Sequence, residues 1–344
     1  MYKSKKAFTL VELLVVIAII ALLMSILMPA LAMVRKMAQR AVCASNLSGL
    51  HKAIWAYSNE NDDDYPRAGG SRSVWGKLNS TNTGINATGW DAKNEAMAFH
   101  EPGGTSGAGK ATISSSLFLL IREADVGPKT FICKAEKDVT DFAFEDYPSP
   151  PRNPLVKDIR QCWDFGKNKD TTRGNVETMT GLPVAQYVSY SYQMPYACAY
   201  GNVTISLYGL STASQPELAV LADRSPYLVL NPDKTKVAYQ FGGNERAGNS
   251  GNHEGDGQNV LYCNGSVSFQ TVSYCGMNKD NIYTSQTTSD PRIGSLPYTI
   301  ASTTTYLFAP TTPWATPQVK SINASDSVLV GEGAKQGGIN PNPG

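Results

Sequence analysis

From Phe8 to Met28 the chain reads FTLVELLVVIAIIALLMSILM, an apolar run carrying a single charge, Glu12. A bilayer core needs about 20 apolar helical residues, so the run is long enough to cross one. Fourteen of the 21 residues are Phe, Leu, Val or Ile. At roughly −0.3 to −0.6 kcal/mol each they outweigh one acid of about +3 kcal/mol near the helix end. The segment therefore inserts, and it dictates that everything downstream is a tethered body. Lys3, Lys5 and Lys6 precede it and hold the N-terminus on the cytoplasmic side.

Ala30-Leu31-Ala32 fits the small-residue rule for an ordinary secretory cut, which would free the body. The apolar run, however, exceeds the roughly 7–15 residues of a secretory h-region. A helical pattern also continues through that point. Apolar or small residues recur at Val34, Met37, Ala38, Ala41, Ala44, Leu47, Leu50, Ile54 and Tyr57, with Arg35, Lys36, Arg40 and Lys52 mostly between them. Spacings of three and four mark an amphipathic helix whose apolar face packs on the following domain. Pro29 removes a backbone donor and is expected to kink or loosen it.

The leader lysines, the small residue Ala7 and the following Phe-Thr-Leu-x-Glu segment resemble the class III signal of type IV pilins and type II secretion pseudopilins. The resemblance implies cleavage by prepilin peptidase between Ala7 and Phe8, where the family usually has Gly before the cut. It also implies N-methylation of the new Phe8 amine. Glu12 is read two ways. It is either an acid tolerated near the interface or, as the resemblance implies, an assembly residue that meets the Phe8 amine of a neighbouring subunit. A carboxylate in lipid needs such a partner.

The expected organisation is a leader over 1–7, a transmembrane or fibre-core helix over 8–28, its amphipathic continuation over 29–60, a β-rich head over 61–283 and a polar extension over 284–344. The last residues of that extension, about ten, are expected to be disordered. Asn59 to Pro66 ends the helix. Its acids Asp62, Asp63 and Asp64 lack the spacing of a calcium loop and read as a solvated turn. Beyond it, Ser114–Ala124 reads as a short helix. Phe131–Cys133, Tyr187–Tyr192, Leu218–Ala222, Tyr227–Leu230, Val237–Phe241, Val260–Cys263 and Ser266–Val272 read as short strands. The fold class is α+β, a long helix packed on an antiparallel sheet with long loops.

Asn264-Gly265 is the preferred two-residue hairpin turn. Pairing Cys263 with Ser266 puts Val260, Tyr262, Val267 and Phe269 on one apolar face, which is expected to lie on the core. The stretch Asn249-Ser-Gly-Asn-His253 followed by GDGQNVLYCNGSVSF resembles the C-terminal signature of a large bacterial group of pilin-like proteins. Ala222-Asp223-Arg224-Ser225-Pro226 and Asp280-Asn281-Ile282-Tyr283 resemble it as well, and Phe131-Ile-Cys133 more loosely. That group often has Asp-Gly at the turn and a second histidine where Ser266 stands.

His253 is read as a structural histidine bonding loop backbone beside the hairpin. The competing reading is a metal or catalytic histidine paired with Asp223. A zinc site needs three or four ligands, and none is apparent at close spacing, so no metal and no cofactor is expected. The six cysteines Cys43, Cys133, Cys162, Cys198, Cys263 and Cys275 form no CxxC pair. In an exported body they permit disulfides, and Cys263 and Cys275 are near enough in sequence to close a small loop. Thirty basic against 29 acidic residues give +1, and loss of the leader lysines leaves −2. No basic face points to nucleic acid. No glycine-rich phosphate loop and no G-x-S-x-G elbow is present.

The expected function is that of a non-enzymatic structural subunit, minor or specialised, of a type IV pilus or type II secretion pseudopilus. Its expected partners are other pilin or pseudopilin subunits, the prepilin peptidase and methyltransferase, the inner-membrane assembly platform and membrane lipid. Its expected place is the bacterial inner membrane, single-pass with the head periplasmic, and then the fibre or cell surface. The alternatives are a membrane-tethered binding head whose Trp75 and Trp90 stack on sugars, and a hydrolase using His253 and Asp223.

Overall fold

Thr9 opens the long helix α1 (Leu10–Glu60) through a capping box. Its hydroxyl accepts from the Glu12 backbone N–H at 3.3 Å, and Glu12 Oε2 accepts from the Thr9 backbone N–H and hydroxyl at 2.8 Å each. Side chains thus satisfy N–H groups that a helix start leaves free. In this computed structural model α1 continues through Pro29 and spans 51 residues, about 76 Å at 1.5 Å per residue. The residues described are 9–68, 74–75, 113–136, 139–144, 158–162, 165, 187–193, 197–200, 203–204, 210–225, 246, 248–283, 285–286, 294–295 and 329–330. Lys3, Lys5, Lys6, Ala7, Phe8, Trp90, the expected strands Tyr227–Leu230 and Val237–Phe241, and the end of the polar extension lie outside them.

The two halves of α1 have different surroundings. From Leu10 to Met37 its large apolar side chains are exposed, and none of the most apolar window is buried. The helix is long and apolar enough to cross a membrane. From Cys43 onward one face is buried: Cys43, Leu47, Leu50, Ala53, Ile54 and Tyr57. Full burial contributes roughly 1.5–3 kcal/mol per large side chain, so this face anchors the helix. The expected apolar face starts too early in sequence. Val34 and Met37 stay about 60% exposed (60% and 59%), because at this level Lys36 and Arg40 are the side chains that face the head.

The sheet facing α1 has five antiparallel strands: β2 (Tyr190–Gln193), β5 (Ala219–Asp223), β6 (Gln258–Tyr262), β7 (Val267–Gln270) and β10 (Leu329–Val330). Their order across the sheet is β10-β2-β5-β6-β7. A second sheet joins β1 (Val74–Trp75), β3 (Ala197–Tyr200) and β4 (Val203–Thr204), with β1 parallel to β3. A small pair joins β8 (Ser285–Gln286) and β9 (Gly294–Ser295). The α+β class is as expected.

Both faces of the main sheet are covered. Leu221, Leu261 and Val267 pack with the buried face of α1 and with α2 (Ile113–Glu123). The apolar run Leu117–Ile121 of α2 is buried throughout. Phe118, Phe131, Phe142, Phe165 and Tyr187 fill the adjoining space edge to face, with ring centroids 4.9–5.7 Å apart. Ala219, Ala222 and Val260 point the other way, onto Ile282 and Tyr283.

Three expectations change. Phe131–Cys133 is no strand. Pro128 starts a 3₁₀ turn, Pro128–Phe131, and the chain then lies extended beside β2, with the Ser189 N–H on Phe131 O at 2.8 Å. The β6–β7 hairpin is in a different register, Leu261 opposite Val267 and Asn259 opposite Phe269. Its loop has three residues, Cys263-Asn264-Gly265, and the Tyr262 N–H reaches Ser266 O at 3.0 Å. Only Gly265 needs positive φ (83°), and Asn264 Oδ1 accepts from the Ser266 N–H at 2.9 Å. The extra loop residue sends Leu261, Val267 and Phe269 toward α1, and Val260 and Tyr262 to the far face. For the same reason Cys263 and Cys275 do not pair, since they pack on opposite faces of the sheet.

The hairpin tip is seated on His51 of α1. A Cβ on Gly265 would lie 2.4 Å from His51 Nε2. Burial holds the His51 imidazole below its usual range, and Nδ1 has no hydrogen-bond partner. The folded chain therefore disfavours the charged ring. This contact costs nothing above the unfolded pKa of about 6.5 and weakens folding as pH falls below it. Between about pH 7 and pH 5 the thermal midpoint of His51→Gln is expected to gain on that of the wild type, whose folded state disfavours the charged ring. An unchanged slope in the variant would remove His51 from the explanation.

Candidate functional site

The strand β5 ends on Asp223, whose side chain is fully buried on the α1-facing side of the sheet. Next to it on β6, Asn259 donates to Asp223 Oδ2 from its backbone N–H at 2.7 Å and from Nδ2 at 3.2 Å. Asn252 Nδ2 lies 3.4 Å from Asp223 Oδ1 and also donates to Ser189 O at 2.9 Å. Tyr283 donates its hydroxyl proton to Asp223 O at 2.7 Å. A buried carboxylate persists only when hydrogen bonds replace its water, and here they come from the loop before β6 and from β6 itself.

His253 follows from the local sequence. Ser250 caps a 3₁₀ turn, Gly251–His253, by accepting from the Asn252 N–H, and Glu254 leaves the turn in the left-handed conformation (φ 61°). The turn swings His253 inward. Its Nε2 lies 3.1 Å from Asp223 Oδ2, 3.2 Å from Asn259 Nδ2 and 3.7 Å from Cys133 Sγ. Cys43 from α1 completes the group, and one ligand atom from each of Cys43, Cys133, Asp223 and His253 lies within 4.8 Å of all the others. Three of the four are 0% exposed and His253 is 5% exposed.

The loop holding His253 is clasped from outside by α1. Lys36 Nζ reaches Glu254 at 2.5 Å, and Arg40 reaches Asp256 at 2.7 Å while its guanidinium lies 4.2 Å from the Phe269 ring centre. Both basic residues thus face the head. On the other side Asn46 donates to Ile132 O at 3.0 Å, tying α1 to the segment that carries Cys133.

The electrostatics of the group are mutual. Burial acts to lower the His253 pKa, but the Asp223 carboxylate and Cys43 override it and raise the imidazole to about 9. The Cys43 thiol is lowered to about 6, first by its hydrogen bond with Cys133 and then, against burial, by His253. Cys133 is pushed upward by Cys43 and by burial.

The competing sequence reading paired His253 with Asp223, and the structure brings the two within 3.1 Å. The first reading expected His253 to bond loop backbone, whereas Nε2 meets side chains of Asp223, Asn259 and Cys133. Both missed Cys43 and Cys133 as partners. One signal pointed to Cys43, which stands one helical turn before Leu47 on the buried face. The turn residues Asn264 and Gly265 lie away from the group, at His51. Glu12 and Pro29 lie on the exposed half of α1, and Glu12 is bonded to Thr9.

The segments that carry the resemblance at the C-terminal end meet here, Asp223 and Arg224, Asn252 and His253, and Asn281 to Tyr283, together with the looser mid-chain match that leads to Cys133. Arg224 is itself buried against Glu136 at 3.0 Å and Val188 O at 2.5 Å.

A family model for the prokaryotic N-terminal methylation motif matches residues 2–28. No curated protein and no solved structure matches the chain. The motif marks pilin-like structural subunits, and the long apolar helix with it suggests anchoring in a membrane. Motif, helix and antiparallel sheet together support a type IV pilin-like protein, and the motif is of the type that prepilin peptidase processes.

Proposed function

We propose that the chain is a minor or specialised structural subunit of a type IV pilus or secretion pseudopilus. The observation that carries this reading is the N-terminal methylation motif at residues 2–28, joined to a helix whose first half exposes an apolar surface with one acid, Glu12, over residues 10–28. Such a surface is stable only in lipid or against other apolar helices. In this reading the peptidase cuts between Ala7 and Phe8, the new amine is methylated, and the head stays on the far side of the inner membrane until assembly. The platform then packs residues 8–28 into the fibre core. The chain supplies structure and its partners supply the enzymology. The His253–Asp223 pair fits that role, since a buried pair gives no substrate access.

Glu12 takes part twice. In the single chain it caps its own helix through Thr9. In a fibre its carboxylate turns to the Phe8 amine of a neighbour, which neutralises both charges where water is excluded.

The test is co-expression with a prepilin peptidase and an assembly system. Mass spectrometry is expected to find a chain beginning at methylated Phe8, and an intact Met1 or a start at Met33 would sink the reading. Glu12→Ala and Glu12→Gln are both expected to be cleaved normally and to be missing from sheared fibres. Gln keeps hydrogen-bonding groups for the cap without the charge. Normal incorporation of Glu12→Gln alongside failure of Glu12→Ala would assign Glu12 to capping and not to pairing.

A further inference from the structure

We propose that Cys43, Cys133, Asp223 and His253 form a closed binding site for one zinc ion, which fastens the long helix to the head. The site does not depend on the pilus reading. It rests on the donors, their spacing and their surroundings.

The donors are two sulfurs, one imidazole nitrogen and one carboxylate oxygen, a set that suits a borderline-soft divalent ion. Calcium and magnesium require shells of six or more oxygens, and the group offers one carboxylate. Tetrahedral zinc, with bonds of about 2.3 Å to sulfur and 2.0–2.1 Å to nitrogen and oxygen, sets donor separations of about 3.3 Å for N···O and 3.6 Å for S···N. The group shows 3.1 Å between His253 Nε2 and Asp223 Oδ2, and 3.7 Å between Cys133 Sγ and His253 Nε2. All four donor atoms fit within 4.8 Å.

Hydrogen bonding alone explains this arrangement poorly. His253 Nε2 has three polar neighbours, Asp223 Oδ2, Asn259 Nδ2 and Cys133 Sγ. A ring nitrogen makes one good hydrogen bond, as donor or as acceptor. Buried polar atoms in surplus of their partners are costly, and a cation that takes one lone pair from each donor removes the surplus.

The outer shell is that of a metal site. Asn259 N–H, Asn259 Nδ2 and Asn252 Nδ2 hold the Asp223 carboxylate, and the Ala135 backbone N–H is directed at Cys133 Sγ. Such partners orient ligands and moderate the charge of thiolates. Zinc entry releases two protons from the Cys43, Cys133 and His253 group, leaving two thiolates, one carboxylate and a neutral imidazole around the ion. With four protein donors, all of them buried, the site is structural. The ligands come from α1, from the segment after Pro128–Phe131, from β5 and from the loop before β6. One ion therefore joins four distant parts of the chain.

The test uses the full chain purified in detergent. Elemental analysis is expected to find about one zinc per chain that survives dialysis and leaves when a mercurial titrates the thiols. Cobalt exchanged into the site is expected to give the visible spectrum of a tetrahedral ion with thiolate charge transfer. Cys43→Ser and His253→Ala are expected to lose at least tenfold in zinc content, while Cys162→Ser, buried elsewhere, keeps it. If a ligand variant does not fold, the cobalt spectrum of the wild type decides. A folded wild type free of zinc overturns the proposal, whether Cys43 and Cys133 are then free thiols or a disulfide seen by peptide mass spectrometry. Unchanged zinc in folded Cys43→Ser overturns it as well.

Discussion

Asp223→Ala is expected to destabilise the head by about 3–5 kcal/mol, the scale of breaking a buried charged pair. The carboxylate receives the Asn259 N–H and Nδ2 and faces Asn252 Nδ2 and His253, all of them nearly or fully buried. Alanine leaves those donors without an acceptor and leaves His253 without the charge that faces it. Asp223→Asn keeps the shape but turns one acceptor oxygen into an NH₂ aimed at other donors, so it is expected to recover only part of the loss. Denaturant titration followed by Trp fluorescence or circular dichroism gives the values. A cost below about 1 kcal/mol for Asp223→Ala would mean that water enters the site and replaces the carboxylate.

Gly257→Ala is expected to cost about 3 kcal/mol or more, as backbone strain and a backbone collision combine. Gly257 has φ 155°, and a Cβ there would lie 2.2 Å from Gln270 O and 2.9 Å from the Phe269 ring. Neither neighbour can retreat without loosening the end of the β6–β7 ladder, where Gln258 pairs with Gln270. Gly255 is the control. Its φ is 77°, but a Cβ there would meet nothing within 4 Å, so Gly255→Ala is expected to cost only the left-handed penalty of about 1 kcal/mol. Equal losses at the two positions would show that conformation alone, and not the contact with Gln270, sets the cost.

Much of the fold could be read from residue patterns, and the failures have physical causes. The helix α1 was legible because its apolar residues recur at three and four, and α2 because a short apolar run follows Ser114-Ser-Ser. The strands β5, β6 and β7 were legible from alternation beside turns. The hairpin register was not. Asn-Gly serves a two-residue loop and also the last two places of a three-residue loop, and the choice depends on tertiary contacts. The Cys263 and Asn264 N–H groups are held by Leu218 O and Pro216 O at 2.9 and 3.0 Å. Val34 and Met37 misled because an apolar stripe does not reveal whether it meets the head, lipid or a neighbouring helix.

The candidate site was half legible. Asp223 and His253 were joined only in the competing reading, as an acid and a rare histidine within motifs. Cys43 and Cys133 were not joined to them, since donors from four distant segments leave no spacing to recognise. A cysteine among alanines on a helix face reads as packing until the sheet is laid against it.

The exposed stretch of α1 has a mechanical consequence. From Leu10 to Arg35 it projects about 39 Å beyond the head at 1.5 Å per residue, held only at its base. A beam clamped at one end bears its greatest bending moment at the clamp. Here the clamp is the two turns holding Lys36, Arg40 and Cys43, with ionic contacts on one side and the Cys43 group within. Any tug or sideways load on the far tip is amplified by that arm and delivered to the same few residues. The stiffness of this root, more than that of the sheet, sets how faithfully the head follows the helix that carries it.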